Sequence, residues 1–215
     1  MISGNSFGIV LLLLGTAFLP IVAVTMTSFA KIAIVIFIVR NALGIQQLPP
    51  NIILYGLAVI LSVYIATPVL TEAYNAIQDQ GYDLQGFEDY QRLGTAIAEP
   101  LRAFLIKHTN PEQLKFFLNT TTNIWGERYA TAASPDAFTI MVPSFLISEL
   151  TKAFQIGFML YLPFIAIDII VTTILVALGM MMVPPTTISI PFKLMLFVFL
   201  DGWTKLVQGL VLSYA

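Results

Sequence analysis

The chain has 215 residues, 58% of them hydrophobic and 10% charged, with a net charge of −2 and no cysteine. A soluble domain carries roughly 25% charged residues, so this is a membrane-class composition, and the mean hydropathy of +0.87 agrees. The near-neutral balance, without a basic run, excludes nucleic acid as a partner. The lack of cysteine excludes disulfide frameworks and cysteine-ligated metal sites.

The charge is unevenly spread. Residues 71–136 hold nine acids and five bases, 14 of the 22 charges. The other 149 residues hold five bases (Lys31, Arg40, Lys152, Lys193, Lys205) and three acids (Glu149, Asp168, Asp201). The chain therefore reads as three parts: a first apolar helical block at 1–70, a polar helical insert at 71–136, and a second apolar helical block at 137–215. No secretory signal peptide is expected, because residues 1–8 lack a positive region and the apolar start shows no clear cleavage site.

Taken in order, Phe7 to Val39 is a run of 33 residues with one charge, Lys31. One membrane span needs about 20 residues, so a break is expected, and Pro20 offers it as a kink or as the first turn of a second helix. That helix is predicted to end at Gly44, a favourable C′ residue, with Arg40 in its last turn against the helix dipole. Gln46-Gln47-Leu48-Pro49-Pro50 reads as a turn, and Asn51 as the N-cap of a helix over 52–70 with Pro68 near its end.

The insert has helical rather than disordered patterning. Phe87, Tyr90, Leu93 and Ile97 fall at three- and four-residue spacing, as do Leu101, Phe104, Leu105 and His108. Asn110-Pro111-Glu112 has the order N-cap, proline at the first helical position, acid, and opens a further helix through Leu118. Ser134-Pro135-Asp136 repeats this start signal. The second apolar block is interrupted by Pro143, Glu149, Lys152, Pro163 and Asp168. Beyond it, Met180, Met181 and Met182 precede Val183-Pro184-Pro185, and a last helix runs from Leu194 to Tyr214.

A plain hydropathy reading gives an all-α fold with four spans, 20–43, 52–70, 153–178 and 194–214. Arg40 and Lys193, in or beside the two short loops, would place those loops in the cytoplasm and the insert and both termini on the other side. Lys31, Asp168, Asp201 and Lys205 nevertheless lie within apolar runs, where charges are costly unless they face protein or water. The many prolines would free backbone groups that lipid cannot satisfy. Much of the apolar surface is therefore expected to pack on other subunits, in an obligate assembly.

The methionines suit a break that must seal and yield, because methionine is unbranched, flexible and polarizable. They suit ordinary packing at a helix end equally well. No enzyme chemistry is expected. Asp168 and Asp201 lack the Gly-x-Gly-Asp setting of an intramembrane aspartyl protease, and no G-x-S-x-G elbow, P-loop or dinucleotide fingerprint occurs. His108 reads as a structural residue on an amphipathic face, and Asn119-Thr120-Thr121 matches a glycosylation sequon of a kind frequent by chance. No cofactor or metal site is predicted.

Three stretches together resemble a known family. They are Thr27-Ser28-Phe29-Ala30-Lys31-Ile32 with Arg40 to Asn51; Val142-Pro143-Ser144 to Leu150 with Ala153-Phe154-Gln155-Ile156-Gly157-Phe158; and Leu178 to Met182 with Pro191-Phe192-Lys193 and Phe199-Leu200-Asp201-Gly202-Trp203. In this order, and with the polar insert between them, they resemble the FliP/SctR family, core subunits of the bacterial type III secretion export apparatus, more like the injectisome branch than the flagellar one. The resemblance implies helical hairpins with broken helices that assemble into a helical pore complex. It implies a homo-oligomer of about five copies in a ring-like helical array, joined by one R/T-type and several Q/S-type subunits. It also implies an inner-membrane location, held largely on the periplasmic side within the complex, a role in virulence, and passage of unfolded protein substrates. The family's methionine loop closes the resting pore, which falls here on Met180, Met181 and Met182.

The charged residues of these stretches are Lys31, Arg40, Glu149, Lys152, Asp201 and Lys205, candidates for ion pairs between subunits. Glu149 is expected to pair across subunits, although Lys152, three residues on, could pair with it along one helix for ~0.2–0.5 kcal/mol. The rival readings are a small ion or solute transporter with Lys31 and Asp168 as an intramembrane pair, and an assembly scaffold that lines no pore. The inverted repeat that would mark such a transporter is not found in the sequence.

Overall fold

The computed structural model describes residues 3–45, 47–80, 87–126, 133–180 and 182–215. Among the described residues there is no strand and there are eight α-helices: α1 (Ser3–Thr25), α2 (Phe29–Ala42), α3 (Asn51–Gln80), α4 (Phe87–His108), α5 (Pro111–Trp125), α6 (Phe138–Ala177), α7 (Pro185–Phe199) and α8 (Gly202–Leu212). The all-α expectation holds. Asn51–Gln78 and Phe138–Ala177 are each long and apolar enough to cross a membrane, and counting the bent pairs α1–α2 and α7–α8 as one span each gives up to four.

Several helix ends differ from the sequence expectation. α1 continues through Pro20 to Thr25 and breaks instead at 26–28. At the break Thr25 Oγ1 donates to the Ile21 carbonyl and Thr27 Oγ1 to that of Ala23, while the amide of Phe29 donates to Thr27 Oγ1 instead of to a helical carbonyl. Hydroxyls that bond the backbone in this way compete with the helical ladder. α3 runs ten residues past the predicted end at 70, through Pro68. α6 is one helix of 40 residues, passing Pro143 and Pro163 without interruption. An interior proline removes one backbone bond, and long apolar helices absorb that loss here.

The chain forms two compact units, Met1–Ala30 with Ser62–Glu149, and Lys31–Leu61 with Leu150–Ala215. In the first, Leu105, Met141 and Phe145 are fully buried, with Met26, Leu101, Phe104, Leu114, Phe138 and Val142 packed around them. Full burial of such side chains contributes about 1.5–3 kcal/mol each. Asn110 caps α5 as its sequence predicts, its side chain accepting the Glu112 amide at 2.9 Å, with Pro111 in the first turn. The amide of Asn110 donates to Ser148 Oγ at 2.9 Å, and Ser148 Oγ donates to the Ser144 carbonyl, so the cap is tied to α6. His108 is buried with its ring 4.7 Å from that of Phe104.

The second unit is built around α2. Ile32, Val35, Ile36 and Val39 follow the helical repeat and are at most 2% exposed. α2 ends where expected, Gly44 adopting φ 78° with its amide bonded to the Asn41 carbonyl. Asn51 does not act as the predicted N-cap side chain; its Oδ1 accepts from Arg40 Nη1. The predicted helix over 194–214 is two helices. α7 begins at Pro185, passes Pro191 and stops at Phe199, and α8 leaves at a 60° bend. The bend sits on Asp201, whose φ of 51° is left-handed, and on Gly202, where a Cβ would lie 2.3 Å from Phe197 Cε2.

Candidate functional site

The methionine segment is a true break between two apolar helices, as its sequence predicts. α6 ends at Ala177, and Gly179 takes φ 71°, a conformation open to glycine and costly to most residues. The Met180 amide then donates to the Leu175 carbonyl at 2.9 Å, and that of Val183 to the Met180 carbonyl at 3.3 Å. Pro184 has φ −66° and ψ 118°, so the chain is extended there before α7 starts at Pro185. Proline at this first position costs nothing, since its missing amide would have no helical partner.

Leu178, Met180 and Met182 are 67%, 45% and 96% exposed. Met182 thus has almost no packing inside its own chain. Met181 lies outside the described residues. A short segment fixed at both ends, with flexible thioethers turned outward, can line a constriction or pack on another chain, and offers no acid, base or nucleophile.

Charges inside the apolar block hold the two helices that carry this segment. Lys193 Nζ lies 2.6 Å from Asp168 Oδ2 and donates to the Ala42 carbonyl at 3.0 Å, while Ser189 Oγ donates to Asp168 Oδ1 at 2.6 Å. Ala42 is the last residue of α2, where carbonyls lack helical partners and a cation is favoured. The Lys193 side chain is 6% exposed and that of Asp168 35%. Sequence reading missed this pair. The available signal was position: Asp168 precedes Met180 by 12 residues and Lys193 follows Met182 by 11, as facing legs of a hairpin require.

Lys193 therefore does not sit beside a loop, as the positive-inside count assumed, but is buried and paired in α7. Asp168 takes Lys193 as its partner, where the transporter reading assigned Lys31. Lys31 is buried, with Nζ 3.5 Å from the centroid of the Tyr214 ring. Arg40 is buried too, its guanidinium 4.8 Å from the Phe37 ring and Nη1 donating to Asn51 Oδ1 and the Pro49 carbonyl. Glu149 is completely buried and Lys152 half-buried. Asp201 and Lys205 are exposed, and neither has an ion pair among the described residues. No group of three or more histidine, cysteine, aspartate or glutamate side chains is placed to hold a metal ion among the described residues.

These features define a helical membrane-type chain with broken apolar helices, paired internal charges and an exposed methionine break. The chain belongs to the FliP family, whose pattern matches residues 11–210. It is similar to a probable translocation protein of Sinorhizobium fredii, 52% identical over 91% of this chain and 88% of that protein. It is also similar to Yop proteins translocation protein R of Yersinia pestis, 47% identical over 91% of this chain and 90% of that one. Virulence protein YscR of Salmonella typhimurium is 44% identical over 92% of this chain and 91% of its own length. These relatives are named for translocation and virulence, and others similar to this chain for secretion, as components of a type III secretion apparatus.

Proposed function

We propose that this protein is a pore-lining subunit of the type III secretion export gate, passing unfolded proteins across the bacterial inner membrane. The observation that carries the reading is Met182, 96% exposed at a break between two apolar helices. A ring of such thioethers from several copies gives a dry seal that deforms around a passing chain. Exposed apolar side chains along α3 (Ile52, Ile60, Tyr64) and α6 (Phe158, Met159, Ile169) support burial against neighbours or lipid. About five copies in a ring-like helical array, with R/T-type and Q/S-type subunits, would complete the channel, and the insert would face the periplasm.

The direct test places a photo-crosslinking amino acid at Met182 in cells holding a secretion substrate stalled in transit. Crosslinks to the substrate are expected at Met182 and not at Glu112, exposed on α5. Substrate crosslinks equal at both positions, or at neither, would overturn the pore-lining role. Labelling a single cysteine at Glu112 from outside the inner membrane checks the side of the insert, and reaction only from the cytoplasm would reverse it.

A further inference from the structure

We infer that Asp168, Lys193 and Ser189 form a clasp that fixes where the methionine segment sits, a positioning device for the gate. It rests on the pore-lining reading only for its consequence, and its geometry is independent of that reading. The clasp joins the two legs of the hairpin well below the loop. From Asp168 to the end of α6 is nine residues, and from Pro185 to Lys193 eight, so at ~1.5 Å per residue the clasp lies about 12–14 Å from the break on both sides.

Between clasp and loop the legs face each other across a groove. An open groove of about 330 Å³ lies there, lined among others by Ile170, Val171 and Ile174 of α6 and by Ile188 and Phe192 of α7, with Ile170, Ile174 and Phe192 at least half exposed. Half-exposed side chains make few contacts across this groove within the chain, so packing above the clasp does not by itself fix the loop. The polar contacts do. Asp168 accepts from both Lys193 and Ser189, which stand four residues apart on one face of α7, and this sets both the depth and the rotation of that helix. The third contact, from Lys193 to the Ala42 carbonyl, anchors the hairpin to the fully buried end of α2. An apolar pair would bury similar surface without selecting one register, whereas charges held by directional bonds tolerate only one. The clasp therefore fixes the register of the two legs, and through them the place of the loop.

The test uses the full chain co-assembled with its export-apparatus neighbours. The chain has no cysteine, so a thiol introduced as Met182→Cys is a unique site for a nitroxide spin label. A second preparation carries the label at Tyr74→Cys, exposed on α3 and remote in sequence from the clasp. In Asp168→Asn the label at 182 is expected to become clearly more mobile, that at 74 to stay unchanged, and ion leak through resting complexes to rise several-fold. A Ser189→Ala background should show the same pattern more weakly, and it decides the matter if Asp168→Asn complexes fail to accumulate. Unchanged mobility at position 182 overturns the clasp whatever the leak. Greater mobility at 182 without added leak upholds the clasp and refutes the gate reading instead.

Discussion

Gly157 of α6 and Ile38 of α2 approach so closely that a Cβ on residue 157 would lie 2.4 Å from Ile38 Cδ1 and 3.3 Å from its Cβ. The glycine therefore sets how near the long α6 comes to the buried α2. Ile38 can yield at its tip but not at its branched Cβ, whose position follows the helix backbone.

Gly157→Val should cost about 1–3 kcal/mol through overpacking, even though valine is a better helix former than glycine. Thermal melting of the detergent-solubilised protein checks this. A midpoint equal to that of the parent would mean that the helices separate freely there.

Gly202 repeats the logic at the second bend. A Cβ would enter the ring of Phe197, which packs edge-on against Trp203 with centroids 5.4 Å apart. Gly202→Ala should destabilise by about 1–3 kcal/mol by displacing that ring. Adding Phe197→Leu makes room, so the double variant should lose less than the sum of the two singles. Strict additivity in the melts would place the strain elsewhere.

Asp201 separates backbone need from charge. Its left-handed φ of 51° suits aspartate and asparagine and penalises branched side chains. Asp201→Asn should leave the melting of the isolated chain within ~0.5 kcal/mol of the parent. If the exposed carboxylate and Lys205 pair with neighbouring subunits, the same variant should lower the yield of assembled complex several-fold, measured by co-purification. An undiminished yield would assign Asp201 to the bend alone.

What the sequence made legible was mostly local chemistry. Asn110-Pro111-Glu112 located the start of α5, Gly44 the end of α2, and the methionines with two prolines the break after α6, because each signal acts within a turn of itself. Prolines misled. Pro20 read as a break, Pro68 as lying near a helix end and Pro143 and Pro163 as interruptions, yet each lies inside a helix, where loss of one backbone bond is outweighed by the turns on either side. The real breaks lie at 26–28, where the Phe29 amide turns to Thr27 Oγ1, and at 200–201, where Gly202 fits on Phe197, a contact that exists only once the chain is folded. Asp168 and Lys193, 25 residues apart, meet for the same reason. The six charges gathered from the family motifs also part ways on folding: Lys31, Arg40 and Glu149 are interior, while Asp201 and Lys205 face outward.

The measurement that bears most directly on the pore-lining role is the permeability of resting complexes with Met180, Met181 and Met182 all replaced by alanine. Met180 and Met182 contribute little to the interior of their own chain, being 45% and 96% exposed, so assembly should survive. Removing three thioethers from each copy should open the seal, and ion leak across the inner membrane, followed by membrane potential in cells making the complex, should rise at least several-fold at equal complex yield. Equal yield with unchanged membrane potential would contradict the account, leaving the methionines as contacts to a neighbouring chain and placing the seal elsewhere.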